Sequence, residues 1–270
     1  MLGRPIAHSL SPVIHNAGYA AAGLADWAYS AHECGEEGLA GFVAGLGSEW
    51  AGLSLTMPLK EAALDVADEV APVAAAIGAA NTLVRLPDGS WRAENTDAPG
   101  IVDALLAAGV SIVDRVSVLG AGGTARAALA AARDVGATAV TVYARRPGAI
   151  AELEPVADDL GLTLIGAGWA DVATAADAAV VVSTVPKGVA DALGPTLVWR
   201  ADTVLFDAVY DPWPTPLAAA ARAAGCRIVS GLDLLLAQAV RQFELYTGVD
   251  APIAAMRSAL FSAAAARSGL

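Results

Sequence analysis

The pattern of apolar and polar positions changes character near the middle of the chain. Over the first hundred residues, short strand-like runs alternate with helical stretches, and the sequence Pro-Asp-Gly-Ser at 87–90 predicts a β-hairpin between two of those runs. From Val116 onward, near-continuous apolar strands alternate with helices, which is typical of a parallel sheet covered on both faces. The pattern therefore predicts an α/β protein with two domains. Residues 1–98 would form an α/β domain with a mixed sheet, and residues 99–232 a doubly wound parallel domain of the Rossmann type.

Local signals place the individual elements. Ser11 followed by Pro12 indicates a helix capped by Ser11, and Gly23 indicates where that helix ends. Predicted helices span 11–22, 36–46, 59–67, 99–108, 124–135, 234–246 and 252–266. Predicted strands span 27–31, 51–55, 82–86, 91–93, 116–119, 139–143, 178–183, 203–206 and 227–229. The last two helices have no strand after them, and the pattern alone allows them to belong to either domain.

Composition limits the classes of function. The formal charge is -12 and no basic run is longer than Arg145-Arg146, so the chain lacks the basic face that binds nucleic-acid phosphates. Cys34 and Cys226 lie far apart and outside any CxxC motif, which argues against a disulfide framework and against a cysteine metal site. The sequence shows neither a basic-then-apolar leader nor an apolar run of about 20 residues. We therefore expect a cytoplasmic protein with no nucleic-acid and no membrane partner. The sequence does not distinguish a monomer from a homodimer.

A glycine-rich turn predicts the cofactor. Gly120-Ala121-Gly122-Gly123-Thr124 follows a predicted strand and begins a predicted helix, where a pyrophosphate can bind at the helix N-terminus. The next strand ends in Ala144-Arg145-Arg146, with no acidic residue before Glu152. An NAD site places an acid there for the ribose hydroxyls, whereas guanidinium groups suit the 2′-phosphate of NADP. We therefore expect NADP(H); a ligand-free glycine turn and a solvated arginine pair are the alternatives.

Two scarce residue types mark candidate chemistry. Lys60 and Lys187 are the only lysines among 16 basic residues, and lysine can exchange a proton at useful pH, whereas arginine cannot. Lys60 begins a predicted helix, although the count by itself favours a solvated side chain. Asparagine occurs only at 16, 81 and 95, where turns and helix caps are the alternative to ligand binding.

Seven segments in order make the whole chain resemble the shikimate dehydrogenase family. They span 3–16, 54–60, 78–82, 95–97, 120–127, 207–217 and 231–239, and the first reads Gly-Arg-Pro-Ile-Ala-His-Ser-Leu-Ser-Pro-Val-Ile-His-Asn. The resemblance implies an oxidoreductase that reversibly reduces 3-dehydroshikimate to shikimate with NADPH, a step toward aromatic amino acids. It also implies that the last helices pack onto the first domain. Residues 1–98 plus about 233–270 would then form the substrate-binding domain.

The resemblance also implies a role for each matching position. Lys60 and Asp97 would be the catalytic pair: Lys60 would protonate the ketone oxygen or stabilise its charge, and Asp97 would hold the lysine and a substrate hydroxyl. With an ammonium in that role no metal is needed. Substrate binding is implied for Ser9, Ser11, Thr56, Asn81, Asp97, Tyr210 and Gln238. Cofactor binding is implied for Gly120, Ala121, Gly122, Gly123, Thr124, Arg145, Arg146, Thr184, Ala208 and Gly231.

Three positions depart from the family pattern. Met1 and Leu2 stand where the family has a full strand before the glycine at position 3, Ser54 stands where asparagine is frequent, and Ala144 replaces an asparagine. We expect a shortened first strand, a weaker contact at Ser54 and a retained preference for NADP. The rival interpretations are a quinate/shikimate dehydrogenase of the same family, a bifunctional folate-pathway dehydrogenase, and an NADP-binding sensor without catalysis. The sensor would not need Lys60 with Asp97.

Overall fold

The computed structural model describes residues 1–268, and its chain divides into two units. Unit 1 comprises Met1–Asp97 and Leu235–Leu270, and unit 2 comprises Ala98–Leu234. In chain order the elements are β1 (Leu2–Gly3), α1 (Ser11–Ala21), β2 (His32–Glu33), α2 (Glu36–Ala44), β3 (Gly52–Ser54), α3 (Ala62–Val66), β4 (Glu69–Val70), α4 (Pro72–Ile77), β5 (Thr82–Arg85), β6 (Trp91–Glu94), α5 (Asp97–Ala107), β7 (Arg115–Leu119), α6 (Gly123–Asp134), β8 (Ala139–Ala144), α7 (Pro147–Ala151), α8 (Glu154–Asp159), β9 (Thr163–Gly168), a 3₁₀ segment (Trp169–Asp177), β10 (Val180–Ser183), a 3₁₀ turn (Asp191–Leu193), β11 (Val204–Asp207), α9 (Pro216–Ala223), β12 (Arg227–Ser230), α10 (Gly231–Thr247) and α11 (Ile253–Ser268).

The sheet of unit 1 is mixed, as the sequence predicts. Its strand order is β3-β5-β6-β4, with β3–β5 and β5–β6 antiparallel and β4–β6 parallel. The β5–β6 hairpin turns through Pro87-Asp88-Gly89-Ser90, where Asp88 Oδ1 accepts the backbone N–H of Ser90 at 2.9 Å. α11 packs against α1, so the last helices belong to unit 1.

Two local predictions for unit 1 are wrong. Residues 27–31 do not form the predicted strand. Strand pairing in this region is confined to β2, because its partner strand β1 has two residues, Leu2 and Gly3. Ser11 is not the cap of α1: Leu10 holds the N-cap position and Ser11 is the first helical residue. The serine oxygen that accepts a backbone N–H at the start of α1 is Ser9 Oγ, which accepts the N–H of Ser11 at 3.2 Å.

The sheet of unit 2 is parallel throughout, which confirms the predicted doubly wound architecture. Its strand order is β12-β11-β10-β7-β8-β9. The chain adds β8 and β9 on one side of β7 and then β10, β11 and β12 on the other side, so the direction of strand addition reverses at β7. All four residues of β10 are buried, which is why this strand is a continuous apolar run. In such sheets ligands bind outside the carboxyl ends of the strands at the reversal point. The glycine turn follows β7 and therefore lies at that point.

Within residues 1–268, no helix combines the length and the hydropathy that crossing a membrane requires.

A buried histidine makes the stability of unit 1 depend on pH. His15 is fully buried, and its ring stacks on Tyr29 with 4.2 Å between ring centroids. Burial lowers the pKa of His15 to about 3, whereas the unfolded chain binds the same proton near pH 6.5. Between these values the unfolded state holds more protons than the folded state. We therefore expect the free energy of unfolding to fall by up to about 1.4 kcal/mol per pH unit below about pH 6.

The measurement is urea unfolding of the wild type and of His15→Phe between about pH 7 and pH 4. Phenylalanine keeps a ring against Tyr29 but cannot titrate, and the carboxylates common to both proteins cancel in the difference. The stability difference should grow steadily in favour of the variant as the pH falls. A difference that does not change with pH would contradict the assignment.

Candidate active site

A lysine and an aspartate form a direct ion pair in unit 1. Lys60 lies in the turn that precedes α3, and its carbonyl accepts the N–H of Ala80 at 2.7 Å. Asp97 is the first residue of α5. Lys60 Nζ donates to Asp97 Oδ2 at 2.5 Å, with the lysine side chain 22% exposed and the aspartate side chain 6% exposed. The pair thus offers a proton donor that a largely buried carboxylate holds in place.

Two amide side chains from distant parts of the sequence meet in the same unit. Asn81 precedes β5 and is 1% exposed, and Gln238 lies in α10 and is half-buried. Asn81 Nδ2 donates to Gln238 Oε1 at 3.1 Å. Their neighbours Thr82, Thr96 and Gln242 are buried and bonded to this group. Thr82 and Thr96 lie in matching segments without an assigned role, and Gln242 lies outside all of the segments.

The remaining predicted substrate residues occupy three places. Ser9 and the buried Ser11 lie together at the start of α1, joined by the bond from Ser11 N–H to Ser9 Oγ. Thr56 is half-buried after β3, and its N–H donates to the carbonyl of Leu2 at 2.9 Å. Tyr210 belongs to unit 2. Ser54, where the family often has asparagine, is buried and bonded to the hydroxyl of Tyr29.

The glycine turn and the arginine pair line one cavity of about 600 Å³ in unit 2. The predicted cofactor residues in its lining are Gly120, Ala121, Gly122, Arg145, Arg146 and Thr184, whereas Gly123 and Thr124 begin α6 outside that lining. Gly120 has a φ of +102°, a conformation that glycine adopts readily. α6 begins without a side-chain cap, so backbone N–H groups at its N-terminus remain for a ligand. Ala144, the position that departs from the family pattern, also lines the cavity, and sequence reasoning missed the remaining lining residues Ala149, Trp169, Val185, Pro186 and Val189.

The last two predicted cofactor residues come from different elements, since Ala208 follows β11 and Gly231 begins α10. A Cβ on Gly231 would overlap the carbonyl oxygen of Ala208, so these two backbones meet as closely as only glycine permits. The buried Asp207 carboxylate accepts Thr215 Oγ1 at 2.6 Å and Val209 N–H at 3.2 Å. Burial raises the pKa of Asp207, and the bond from Thr215 opposes that shift. These contacts fix the loop that carries Ala208 and Tyr210.

Comparison with known proteins identifies the family. Residues 1–83 match the shikimate dehydrogenase substrate binding domain, and residues 231–261 match the shikimate 5′-dehydrogenase C-terminal domain. The shikimate dehydrogenase (NADP(+)) of Anaeromyxobacter sp. strain K is 44% identical over 276 residues, which cover 99% of this chain and 96% of that protein. The chain belongs to the shikimate dehydrogenase family. The resemblance on the seven sequence segments is therefore confirmed.

Solved shikimate dehydrogenase structures share the fold. The Mycobacterium tuberculosis enzyme is 47% identical with a TM-score of 0.89, and the match covers 97% of each chain. The Thermus thermophilus shikimate 5-dehydrogenase, solved in complex with NADP(H) and shikimate, is 33% identical with a TM-score of 0.84 over 97% of each chain. The mixed sheet and the parallel six-stranded sheet described above are thus the architecture of this family.

Proposed function

We propose that this protein is an NADP-dependent shikimate dehydrogenase that interconverts 3-dehydroshikimate and shikimate. The observation that carries the proposal is the contact of Lys60 with Asp97, beside a family membership that spans the whole chain. Reduction of a ring ketone uses a proton donor such as Lys60, whereas an NADP-binding sensor would not need Lys60 with Asp97. The amides of Asn81 and Gln238 support a ligand rich in hydroxyl groups, because each can bond a hydroxyl.

In this proposal Lys60 handles the proton of the reaction. NADPH supplies the hydride that reduces the ring ketone. The Lys60 ammonium donates its proton to the carbonyl oxygen as negative charge develops there, and in the oxidative direction the neutral amine takes the hydroxyl proton back. Asp97 accepts a hydrogen bond from the lysine and thereby fixes the direction in which the remaining N–H groups point.

The residues of unit 2 fit the proposed cofactor. The uncapped start of α6 would bind the pyrophosphate through backbone N–H groups. Within residues 1–268, no atom from beyond the neighbouring backbone lies within 4 Å of where a Cβ on Gly122 or Gly123 would stand. Arg145 and Arg146 are exposed at the edge of the cavity and would bind the 2′-phosphate. The buried free thiols of Cys34 and Cys226 fit a reducing compartment, and we propose that the protein acts in the cytoplasm as a monomer or homodimer.

The test is the absorbance of NADPH with purified protein and a panel of ring acids. Shikimate with NADP+ should produce NADPH, and 3-dehydroshikimate should consume it. Quinate in place of shikimate, and NAD+ in place of NADP+, are the matched alternatives and should give a lower kcat/KM. A folded protein that turns over none of these pairs would contradict the proposal, and a preference for quinate would correct the substrate.

A further inference from the structure

A backbone donor sets the direction of the Asn81 amide. The N–H of Thr96 donates to Asn81 Oδ1 at 2.8 Å, and because a backbone N–H cannot accept, the side-chain atom that faces it is the oxygen. The hydroxyls of Thr82 and Thr96 point at the same oxygen, at 2.9 and 3.1 Å. With Asn81 1% exposed and Thr82 fully buried, water does not compete for these bonds. The Nδ2 group must therefore point the other way, where Gln238 lies.

The orientation of the Asn81 amide also determines which atoms donate and which accept in the hydrogen bonds of its neighbours. Since Asn81 Oδ1 can only accept, the Thr82 hydroxyl must donate to it, and what reaches Thr82 Oγ1 at 2.9 Å must be the Nε2 group of Gln242. On the other side, Asn81 Nδ2 donates to Oε1 of Gln238, which leaves the Nε2 group of Gln238 for a ligand. Gln238 and Gln242 are one turn apart on α10 and so share a face of that helix.

We propose that Thr82, Thr96 and Gln242 are positioning residues that fix the hydrogen-bond polarity of the substrate pocket. Asn81 and Gln238 then meet the ligand as N–H donors, and a ring hydroxyl bound between them acts as an acceptor. The proton of that hydroxyl is directed to an acceptor, and the Asp97 carboxylate supplies one in the same unit. The inference deepens the proposed function and rests on it, because it specifies how that substrate is told apart from analogues that lack a hydroxyl.

Substrate analogues test the polarity without altering the protein. For each ring hydroxyl that the reaction leaves untouched, one analogue carries hydrogen in its place and a second carries fluorine, which accepts weakly but cannot donate. At the hydroxyl held by Asn81 and Gln238, the fluoro analogue should bind at least about threefold more tightly than the deoxy analogue. Equal binding of fluoro and deoxy analogues at every position, measured by calorimetry, would overturn the assignment.

Paired variants test the positioning residues. The double variant Thr82→Val/Thr96→Val removes two hydroxyl donors while keeping the side-chain shape, and we expect it to raise KM for shikimate about tenfold. The KM for NADP+ should stay within about twofold, and kcat should change less than KM. Thr82→Ser/Thr96→Ser keeps both hydroxyls and should restore KM for shikimate to within about twofold of the wild type. If the serine and valine variants shift KM equally, the role is packing and the assignment is wrong.

Thr203→Val is the matched control. Thr203 is a buried threonine of unit 2 whose hydroxyl has no hydrogen-bond partner within residues 1–268, so its loss should leave both KM values unchanged. Should the double valine variant not fold, each single valine variant should raise KM for shikimate about threefold, and an unmoved KM in both would overturn the inference. A wild type without shikimate turnover contradicts the proposed function itself, whereas normal turnover with unmoved KM contradicts the polarity alone.

Discussion

Replacing Lys60 by methionine is expected to lower kcat for shikimate oxidation by about a thousandfold, since general acid–base groups contribute roughly 10²–10⁴ to rate. Methionine keeps the length of the side chain but carries no proton to exchange. The cavity proposed to bind NADPH lies in unit 2 and Lys60 is not part of its lining, so the Kd for NADPH should stay within about twofold. The measurements are steady-state kcat and NADPH binding by fluorescence.

Two further variants make the Lys60 test specific. Lys60→Arg keeps the positive charge but cannot release a proton at working pH, so it should also lose most of kcat. Lys187→Met removes the other lysine, which is exposed in unit 2, and should leave kcat unchanged. A Lys60→Met protein that folds and retains more than about a tenth of kcat would show that another group moves the proton.

Replacing both Arg145 and Arg146 by alanine is expected to lower kcat/KM with NADP+ by about a hundredfold, because each charge-assisted bond to a phosphate contributes about 1.5–3 kcal/mol. NAD+ has no 2′-phosphate, so kcat/KM with NAD+ should change by less than about threefold. The ratio of the two kcat/KM values is the quantity to measure. Arg222→Ala, which removes an exposed arginine of α9 outside the cavity lining, is the control and should leave that ratio unchanged. An equal loss with both cofactors would mean that the pair supports the fold of the loop rather than the phosphate.

The elements that the sequence predicts well are those whose structure follows from their own residues. The β5–β6 hairpin follows from its turn residues, and β10 follows from an uninterrupted apolar run. β9 escaped prediction because it lies at the edge of the sheet, exposes most of its residues and contains Gly166 and Gly168, so no apolar pattern marks it. β4 has two residues and α4 has six, and segments this short do not show the periodic pattern of apolar residues that marks a strand or a helix.

The residues of the candidate site also differ in whether local sequence could predict them. The glycine turn and the arginine pair lie within one strand-helix-strand unit, so spacing alone could indicate a dinucleotide site. Asn81 and Gln238 are 157 residues apart, and only the resemblance to a family placed them in one pocket. Neither Thr82, which lies in the matching segment 78–82, nor Gln242 was assigned a role, because a threonine in a strand and a glutamine in a helix are ordinary residues. The role proposed for them rests on a tertiary contact between residues 160 positions apart in the chain.

The division of unit 1 between the two ends of the chain sets the order in which the protein can be completed during translation. Everything in unit 2 is synthesised before Leu235, so its parallel sheet can form while α10 and α11 are still being made. A nascent chain at that stage already contains the cavity lined by the glycine turn and the arginine pair, but it lacks Gln238 and Gln242. In the role proposed for Gln238, the substrate site stays incomplete until α10 has been synthesised.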